Sequence, residues 1–385
     1  MKRALALLAF ALLAFATSAL AQNVHMETAR RVLANTPLID GHNDLPWAIR
    51  RSELAPHDVE ATGHDLRETT PFHTDIARLR EGMVGAQFWS VYIPFEALQE
   101  GAAKVQLEQI DIALQIVAKY PEAFELALSA SDIERGFGAG RIPSLLGMEG
   151  GHAIENSLGA LRAYYALGVR YMTLTHNGTL DWADAANGEH RHGGLTEFGK
   201  EVVREMNRMG MLVDLSHTSP ETMNDALDVA QAPVMWSHAS AKGVLDHPRN
   251  VPDQVLRRLP ENGGVVMITF VPSFITTNDE ATIADVADHI DHVANLAGID
   301  HVGIGSDFDG IESTPVGLED VSKFPALFAE LSRRGWNEEE LAKLAGENVL
   351  RVMREAEAAA RRLQRERPPS MKTISELDGT VGDDR

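Results

Sequence analysis

The chain contains no cysteine. That excludes disulfides, thiolate zinc sites, iron–sulfur clusters, a cysteine nucleophile and a lipid-modified cysteine anchor. Basic residues are also scarce: 35 Lys and Arg stand against 56 Asp and Glu, a formal charge of −21. A phosphate backbone needs a basic face, so this balance argues against nucleic acid as a partner. There is no repeat of fixed period, and beyond the first 21 residues no stretch is apolar and long enough to span a bilayer. What remains is ordinary globular composition, with 44% hydrophobic and 24% charged residues in 385. Fifteen histidines stand beside many carboxylates, so any metal must be held through nitrogen and oxygen.

The first residues read as an address. Lys2 and Arg3 precede an apolar run from Ala4 to Ala16, and Ser18-Ala19-Leu20-Ala21 offers small residues before Gln22. This is the layout of a secretory signal peptide over residues 1–21. At 13 residues the run is too short to span the ~30 Å hydrocarbon layer. The expectation is a mature chain that is secreted or periplasmic, with no stable membrane anchor. Residues 367–385 are polar, with Pro368-Pro369 and Asp383-Asp384, and lack the apolar tail of a lipid-anchor signal. They read as a solvated tail.

Between these ends, residues 22–366 read as one domain. Eight short β-like runs recur: Pro37–Asp44, Gly85–Ile93, Ile142–Glu149, Val169–His176, Leu212–His217, Pro233–His238, Val265–Phe270 and His301–Phe308. Helical periodicity fills the intervals, as in Ala103–Val117, Glu197–Met209 and Asp285–Leu296. Alternating strand and helix predicts a parallel sheet covered by helices, and eight units fit a (β/α)8 TIM-type barrel. A doubly wound sheet is the alternative. Two further amphipathic helices, Val321–Arg334 and Asn337–Ala359, follow the last strand and are expected to pack on the barrel. Asn337 is placed to cap the second, with Glu340 at the capping-box position.

Six of the eight candidate strands end in His, Asp or Glu. In a barrel those ends converge on the face where active sites are built. His42 and Asp44 are two residues apart, so on a strand they project to the same side. His217 and His238 end neighbouring strands, and Glu149 has two oxygens with which to bridge. Such a set can hold two divalent ions ~3.5–4 Å apart, acidify a shared water and polarise a carbonyl. Imidazole and carboxylate without thiolate suit zinc, with iron, cobalt or manganese as alternatives. Taken singly, each of these residues is as well read as a cap or a satisfied core group; the weight lies in their joint placement. His289 and His292, spaced i, i+3, read as surface residues. His190 and His192 fall in a Gly-rich segment as lid residues or nothing, and Asp309-Gly310 reads as a turn.

At these positions the chain resembles the membrane (renal) dipeptidase family, peptidase family M19, the zinc dipeptidases of the amidohydrolase-like barrels. The matching motifs are Asp40-Gly41-His42-Asn43-Asp44-Leu45-Pro46, Glu149-Gly150-Gly151-His152, Leu174-Thr175-His176-Asn177 with Trp182-Ala183-Asp184, Asp214-Leu215-Ser216-His217, Ser237-His238-Ala239-Ser240, His247-Pro248-Arg249-Asn250 and Gly305-Ser306-Asp307-Phe308-Asp309-Gly310. They run in family order, and Gly346-Glu347-Asn348-Val349-Leu350-Arg351-Val352 follows. The resemblance implies hydrolysis of dipeptides, with an L- or D-residue at the C-terminal position, by a hydroxide that two zinc ions activate. It implies that His42, Asp44 and Glu149 hold one ion, and Glu149, His217 and His238 the other. It further implies that His176 hydrogen-bonds the substrate carbonyl, Asp307 shuttles a proton to the leaving amine, and Arg249 pairs with the substrate carboxylate. Family members are often dimers, so a homodimer is compatible with it.

The chain departs from the mammalian members of the family, which carry disulfides and a lipid-anchor tail. After the seventh strand, Phe270-Val271 stands where an aromatic pair with Tyr is expected, which bears on the side-chain pocket. Two rival readings remain at this point. One is another binuclear amidohydrolase acting on cyclic amides, lactams or lactones; many of those bridge their metals with a modified lysine, which candidate strand four lacks. The other is a non-catalytic binding protein on the same barrel.

Overall fold

The computed structural model describes residues 24–379. The proposed signal peptide, residues 1–21, and the last six residues of the tail lie outside that range. Nine parallel strands form the sheet: β1 (Leu38–Asn43), β2 (Val84–Ser90), β3 (Phe124–Leu126), β4 (Ile142–Glu149), β5 (Val169–Thr173), β6 (Leu212–Asp214), β7 (Met235–Ala239), β8 (Val265–Ile268) and β9 (Val302–Ile304). Strand pairs run in the order β2-β1-β9-β8-β7-β6-β5-β4, and β2 pairs with β4 to close the ring. The result is a closed eight-stranded barrel with helices outside it, a TIM-type (β/α)8 fold.

The eight β-like runs of the sequence all become barrel strands, each within a few residues of its expected start. Their polar ends extend past the hydrogen-bonded ladder, so His176, His217 and Asp307 sit in loops just beyond strands. The ninth strand, β3, was not anticipated. Its three residues pair along the first half of β4, Phe124 with Ile142 and Leu126 with Ser144, and are too short to carry a period.

Inside the barrel, small residues make room for large ones. A Cβ on Gly147 of β4 would overlap the ring of Tyr171 on β5. Gly41 leaves space for Met267, and its own Cβ would stand 2.5 Å from the Met267 sulfur. Two buried aspartates tie neighbouring strands. Asp40 accepts the Ser306 backbone N–H (2.8 Å), the Ser306 hydroxyl (2.7 Å) and the Gln87 amide (3.0 Å). Asp214 accepts the Ser237 N–H (2.8 Å) and hydroxyl (2.6 Å). Burial lifts the Asp40 pKa to about 6, against these hydrogen bonds.

The helices outside follow the expected periodicity, with Glu197–Met209 as read and Ala102–Lys119 and Ile283–Ala297 slightly longer. Both trailing helical regions pack on the barrel. Asn337 and Glu340 form the expected capping box, but the helix it opens is not continuous. Glu338–Ala342 passes through a wider π turn, Lys343–Glu347, into the long helix Asn348–Glu366. The wide turn sets Gly346 against the start of β1, where a Cβ would meet the Pro37 carbonyl. Asn348 then donates to the Ile299 (2.7 Å) and Val302 (2.9 Å) carbonyls. Val349, Val352 and Met353 join Ile39, Tyr171, Met235 and Met267 in one apolar cluster.

Residues 367–379 are polar and mostly exposed, yet anchored. Glu205, wholly buried on the helix Glu197–Met209, takes a two-pronged contact from Arg208 (2.8 and 2.8 Å), one from Arg162 (3.1 Å) and one from Arg367 (3.4 Å). Further on, Asp378 accepts the Thr196 hydroxyl (2.7 Å) at the start of the same helix. No helix among the described residues is long and apolar enough to cross a membrane.

Candidate active site

All eight sequence-predicted site residues meet at the C-terminal mouth of the barrel. His42 lies on β1, Glu149 ends β4 and His238 lies on β7. Asp44 follows β1 at the start of the helix Leu45–Arg50. A cavity of about 380 Å³ opens among Asp44, Glu149, His176, His217, His238, Arg249 and Asp307, with Trp47, Tyr92, Val271, Phe274 and Ile311 as apolar wall. His217 and Asp307 hold φ near 66° and 68°, a left-handed conformation that costs a non-glycine residue about 1 kcal/mol or more. At Asp307 the backbone is pinned by its N–H donating to the His42 carbonyl (3.0 Å).

Glu149 is the centre. One oxygen lies 3.0 Å from His217 Nε2 and 3.3 Å from His238 Nε2. The other lies 3.5 Å from His42 Nε2, which is itself 3.2 Å from Asp44. The outer nitrogen of each of these three imidazoles has a fixed partner. Tyr171 donates its proton to the Gly41 carbonyl (3.2 Å), so its oxygen accepts from His42 Nδ1–H (2.8 Å). Ser237 donates to Asp214, so its oxygen accepts from His238 Nδ1–H (2.9 Å). Asn177 accepts from His217 Nδ1–H through its side-chain oxygen (3.3 Å). All three Nε2 atoms therefore present lone pairs inward, and those of His217 and His238 face each other at 3.0 Å.

This is the arrangement of a cation site. Two facing lone pairs and a carboxylate oxygen repel unless positive charge lies among them. His42 Nε2 and Asp44 Oδ1 are buried without a hydrogen-bond partner. Donor atoms of His42, Glu149 and His238, of Glu149, His176 and His217, and of His42, Asp44 and Asp307 each gather within 4.8 Å. The donor set is nitrogen and oxygen throughout, with outer hydrogen bonds that orient the imidazoles, as metal-binding histidines require.

The electrostatics follow from burial and from this crowding. Burial works to raise the Glu149 pKa; charge on His42 and N–H donation from His217 and His238 would hold it well below the carboxylate range, a role that falls to a cation when all three nitrogens are bare. Burial pushes Asp307 well above that range, with Asp44 and Glu149 adding to the effect. His238 falls to about 3 and His217 falls well below the usual value, both chiefly through burial. Arg249 is 2% exposed, with one guanidinium nitrogen unpartnered and another donating weakly to the His238 carbonyl (3.4 Å). Burial lowers its pKa to about 10, so it is a charged donor at neutral pH that faces the cavity with no ion-pair partner in contact among the described residues.

His176 differs from the other three imidazoles. It packs at a tilt against Tyr92 (4.8 Å) and His217 (4.3 Å), 3.8 Å from Glu149, and among the described residues no hydrogen bond fixes either ring nitrogen. Other histidines correct the sequence reading. His289 is a satisfied core group rather than a surface one: it accepts the Ala241 N–H (3.0 Å) and bonds the Ile275 carbonyl (3.0 Å). His292 pairs with Asp253 (2.8 Å). Asp309 is more than a turn: buried, it accepts the His73 N–H (2.6 Å). The Gly-rich segment is held by Asp184, whose carboxylate accepts the N–H groups of Arg191, His192, Gly193 and Gly194. Phe270 packs between Phe308 and Phe324, and Val271 lines the cavity, so Val271 alone shapes the pocket where an aromatic pair was expected.

Comparison with known proteins adds the following. The family model of membrane dipeptidases, peptidase family M19, matches residues 26–367. An uncharacterized dipeptidase of Schizosaccharomyces pombe is 48% identical over 344 residues, 86% of this chain and 83% of the relative. A metallopeptidase from Rhodobacter sphaeroides, solved with a phosphinate mimic of the dipeptide L-Ala-D-Ala, superposes with a TM-score of 0.75 at 27% identity, covering 83% of this chain and 99% of the other. The probable dipeptidase PvdM from Pseudomonas aeruginosa has a TM-score of 0.80 at 22% identity over 88% of this chain and all of the other, a likeness of fold.

Proposed function

The chain belongs to the membrane dipeptidase family of metallopeptidases, and from that premise we propose that it hydrolyses dipeptides with two zinc ions. The observation that carries this reading is the pair of facing Nε2 lone pairs on His217 and His238, 3.0 Å apart against Glu149. His42, Asp44 and Glu149 would hold one ion, and Glu149, His217 and His238 the other. Zinc in such a site supplies Lewis-acid polarisation of a carbonyl and a water of lowered pKa.

The chain's own residues do the rest. Arg249 binds the free C-terminal carboxylate of the substrate, which supplies the anion its buried guanidinium lacks. That contact sets the peptide bond over Glu149. His176, free of any fixing hydrogen bond, donates to the carbonyl oxygen as negative charge develops on it. Asp307, held beside His42 by its backbone, carries a proton to the leaving amine. Because the mimic bound by the Rhodobacter protein carries D-Ala at its second position, we extend the substrate class to Xaa-D-Xaa as well as Xaa-L-Xaa dipeptides.

The test is hydrolysis of a panel of dipeptides, L and D at the second position, before and after chelation, with metal content measured alongside. Two zinc ions per chain and chelator-sensitive cleavage are expected. Absence of metal-dependent cleavage of every member overturns the reading. We also propose export of the mature chain to the periplasm or medium through residues 1–21. N-terminal sequencing of the mature protein is expected to begin at Gln22, and a start at Met1 overturns it.

A further inference from the structure

Asp44, Trp47 and Arg51 all line the cavity, spaced i, i+3, i+7 along the helix Leu45–Arg50 and its cap. That spacing puts them on one helical face, with Asp44 deepest and Arg51 outermost and exposed. Trp47 stands edge-on to Tyr92 at 4.9 Å and makes the wall between them. The neighbouring Arg50 is spent on Glu108 (2.8 Å). Among the described residues no hydrogen bond or ion pair engages the Arg51 guanidinium. Its charge is nonetheless felt in the site. Burial, Glu149 and Asp44 raise the Tyr92 pKa, and Arg51 pulls it down.

The ring order fixes where Arg51 stands relative to Arg249. Tyr92 follows β2 and Arg51 follows β1, whereas Arg249 follows β7, which is four places from β2 and three from β1 in the eight-strand ring. The two arginines thus stand on separate walls of one cavity, which Glu149 also lines. A dipeptide with its carboxylate on Arg249 and its peptide bond over Glu149 turns its N-terminal side chain onto the Trp47–Tyr92–Arg51 wall. The carboxylates that line the cavity, Asp44, Glu149 and Asp307, belong to the catalytic centre. Glu96, near Tyr92, does not line it.

We propose that Arg51 is a binding group for an acidic side chain, aspartyl or glutamyl, on the N-terminal residue of the dipeptide. This rests on the dipeptidase reading above and names the substrate class within it.

The experiment compares L-Glu-L-Ala with L-Gln-L-Ala, which differ in charge and hardly in shape. In the unaltered enzyme kcat/KM is expected to favour the glutamyl substrate about 3- to 10-fold, carried in KM, as suits an exposed charge pair. The preference shrinks as salt is raised. Within Arg51→Gln the ratio between the two substrates falls to about one; within Arg51→Glu it falls below one, and L-Lys-L-Ala is cleaved better than L-Gln-L-Ala. Turnover of L-Gln-L-Ala without a charge preference overturns the inference and leaves the dipeptidase reading standing. Persistence of the preference in Arg51→Gln does the same. Failure to cleave any dipeptide overturns the dipeptidase reading, and the inference with it.

Discussion

The Tyr171 hydroxyl oxygen lies 2.8 Å from His42 Nδ1, across 129 residues of sequence. Its proton is given to the Gly41 carbonyl, so the oxygen can only accept, and His42 is held with Nε2 bare toward Asp44 and Glu149. Tyr171→Phe keeps the ring and removes this hold. We expect metal affinity to fall about 10- to 100-fold, read by competition with a graded chelator series. Unchanged affinity would show that packing alone orients His42.

Gly147 controls the same ring from the other side. In Gly147→Ala the new Cβ overlaps the ring of Tyr171, which is fully buried. The expected cost is about 1–3 kcal/mol of stability, together with weaker metal binding. A Gly147→Ala protein with the melting temperature and metal affinity of the parent would contradict this account of the barrel interior.

Arg249→Ala is expected to lower kcat/KM for free-acid dipeptides about 100-fold or more while changing C-terminally amidated ones far less. Equal losses on both substrate types would assign Arg249 a structural role.

Asp184 gives a pH prediction. Burial opposes its charge, but the four N–H groups of Arg191, His192, Gly193 and Gly194 outweigh that and depress its pKa. A depressed carboxylate contributes stability above its unfolded pKa of about 4 and loses it as pH falls through the folded value. The segment from Arg191 to Gly194 is therefore expected to loosen first under acid, seen as early hydrogen exchange there. Asp184→Asn sets an amide against those donors, costs about 2–3 kcal/mol and removes the acid dependence. Exchange in this segment that tracks the whole barrel at every pH would refute it.

The strand-end residues were legible because a ligand on a barrel must stand where a strand stops, and sequence shows where strands stop. Their supports were not. Tyr171 reads as another β-strand aromatic, and only the closed ring reveals that it reaches His42. Asp214 and Ser237 sit within recognisable motifs, yet the bond from one to the other passes between strands. His289 was misread because a helical stripe shows that a face exists and not what covers it. The loop that supplies Ala241 and the one-turn helix Pro272–Ile275 are too short to carry a period. The π turn at Lys343–Glu347 was invisible because a helix with one wide turn keeps its amphipathic pattern. Residue 51 has no motif at all, and its standing comes from the cavity it faces and the partner it lacks.

The short helix after β1 has a consequence for how such an enzyme diversifies. Asp44 and Arg51 ride on one rigid element, seven residues apart, one among the buried donors of the cavity and one at the rim. An exchange at position 51 leaves the distance between the two fixed and alters only the charge presented to an incoming substrate. Single substitutions at this outer position can therefore retune substrate choice without moving the inner donors.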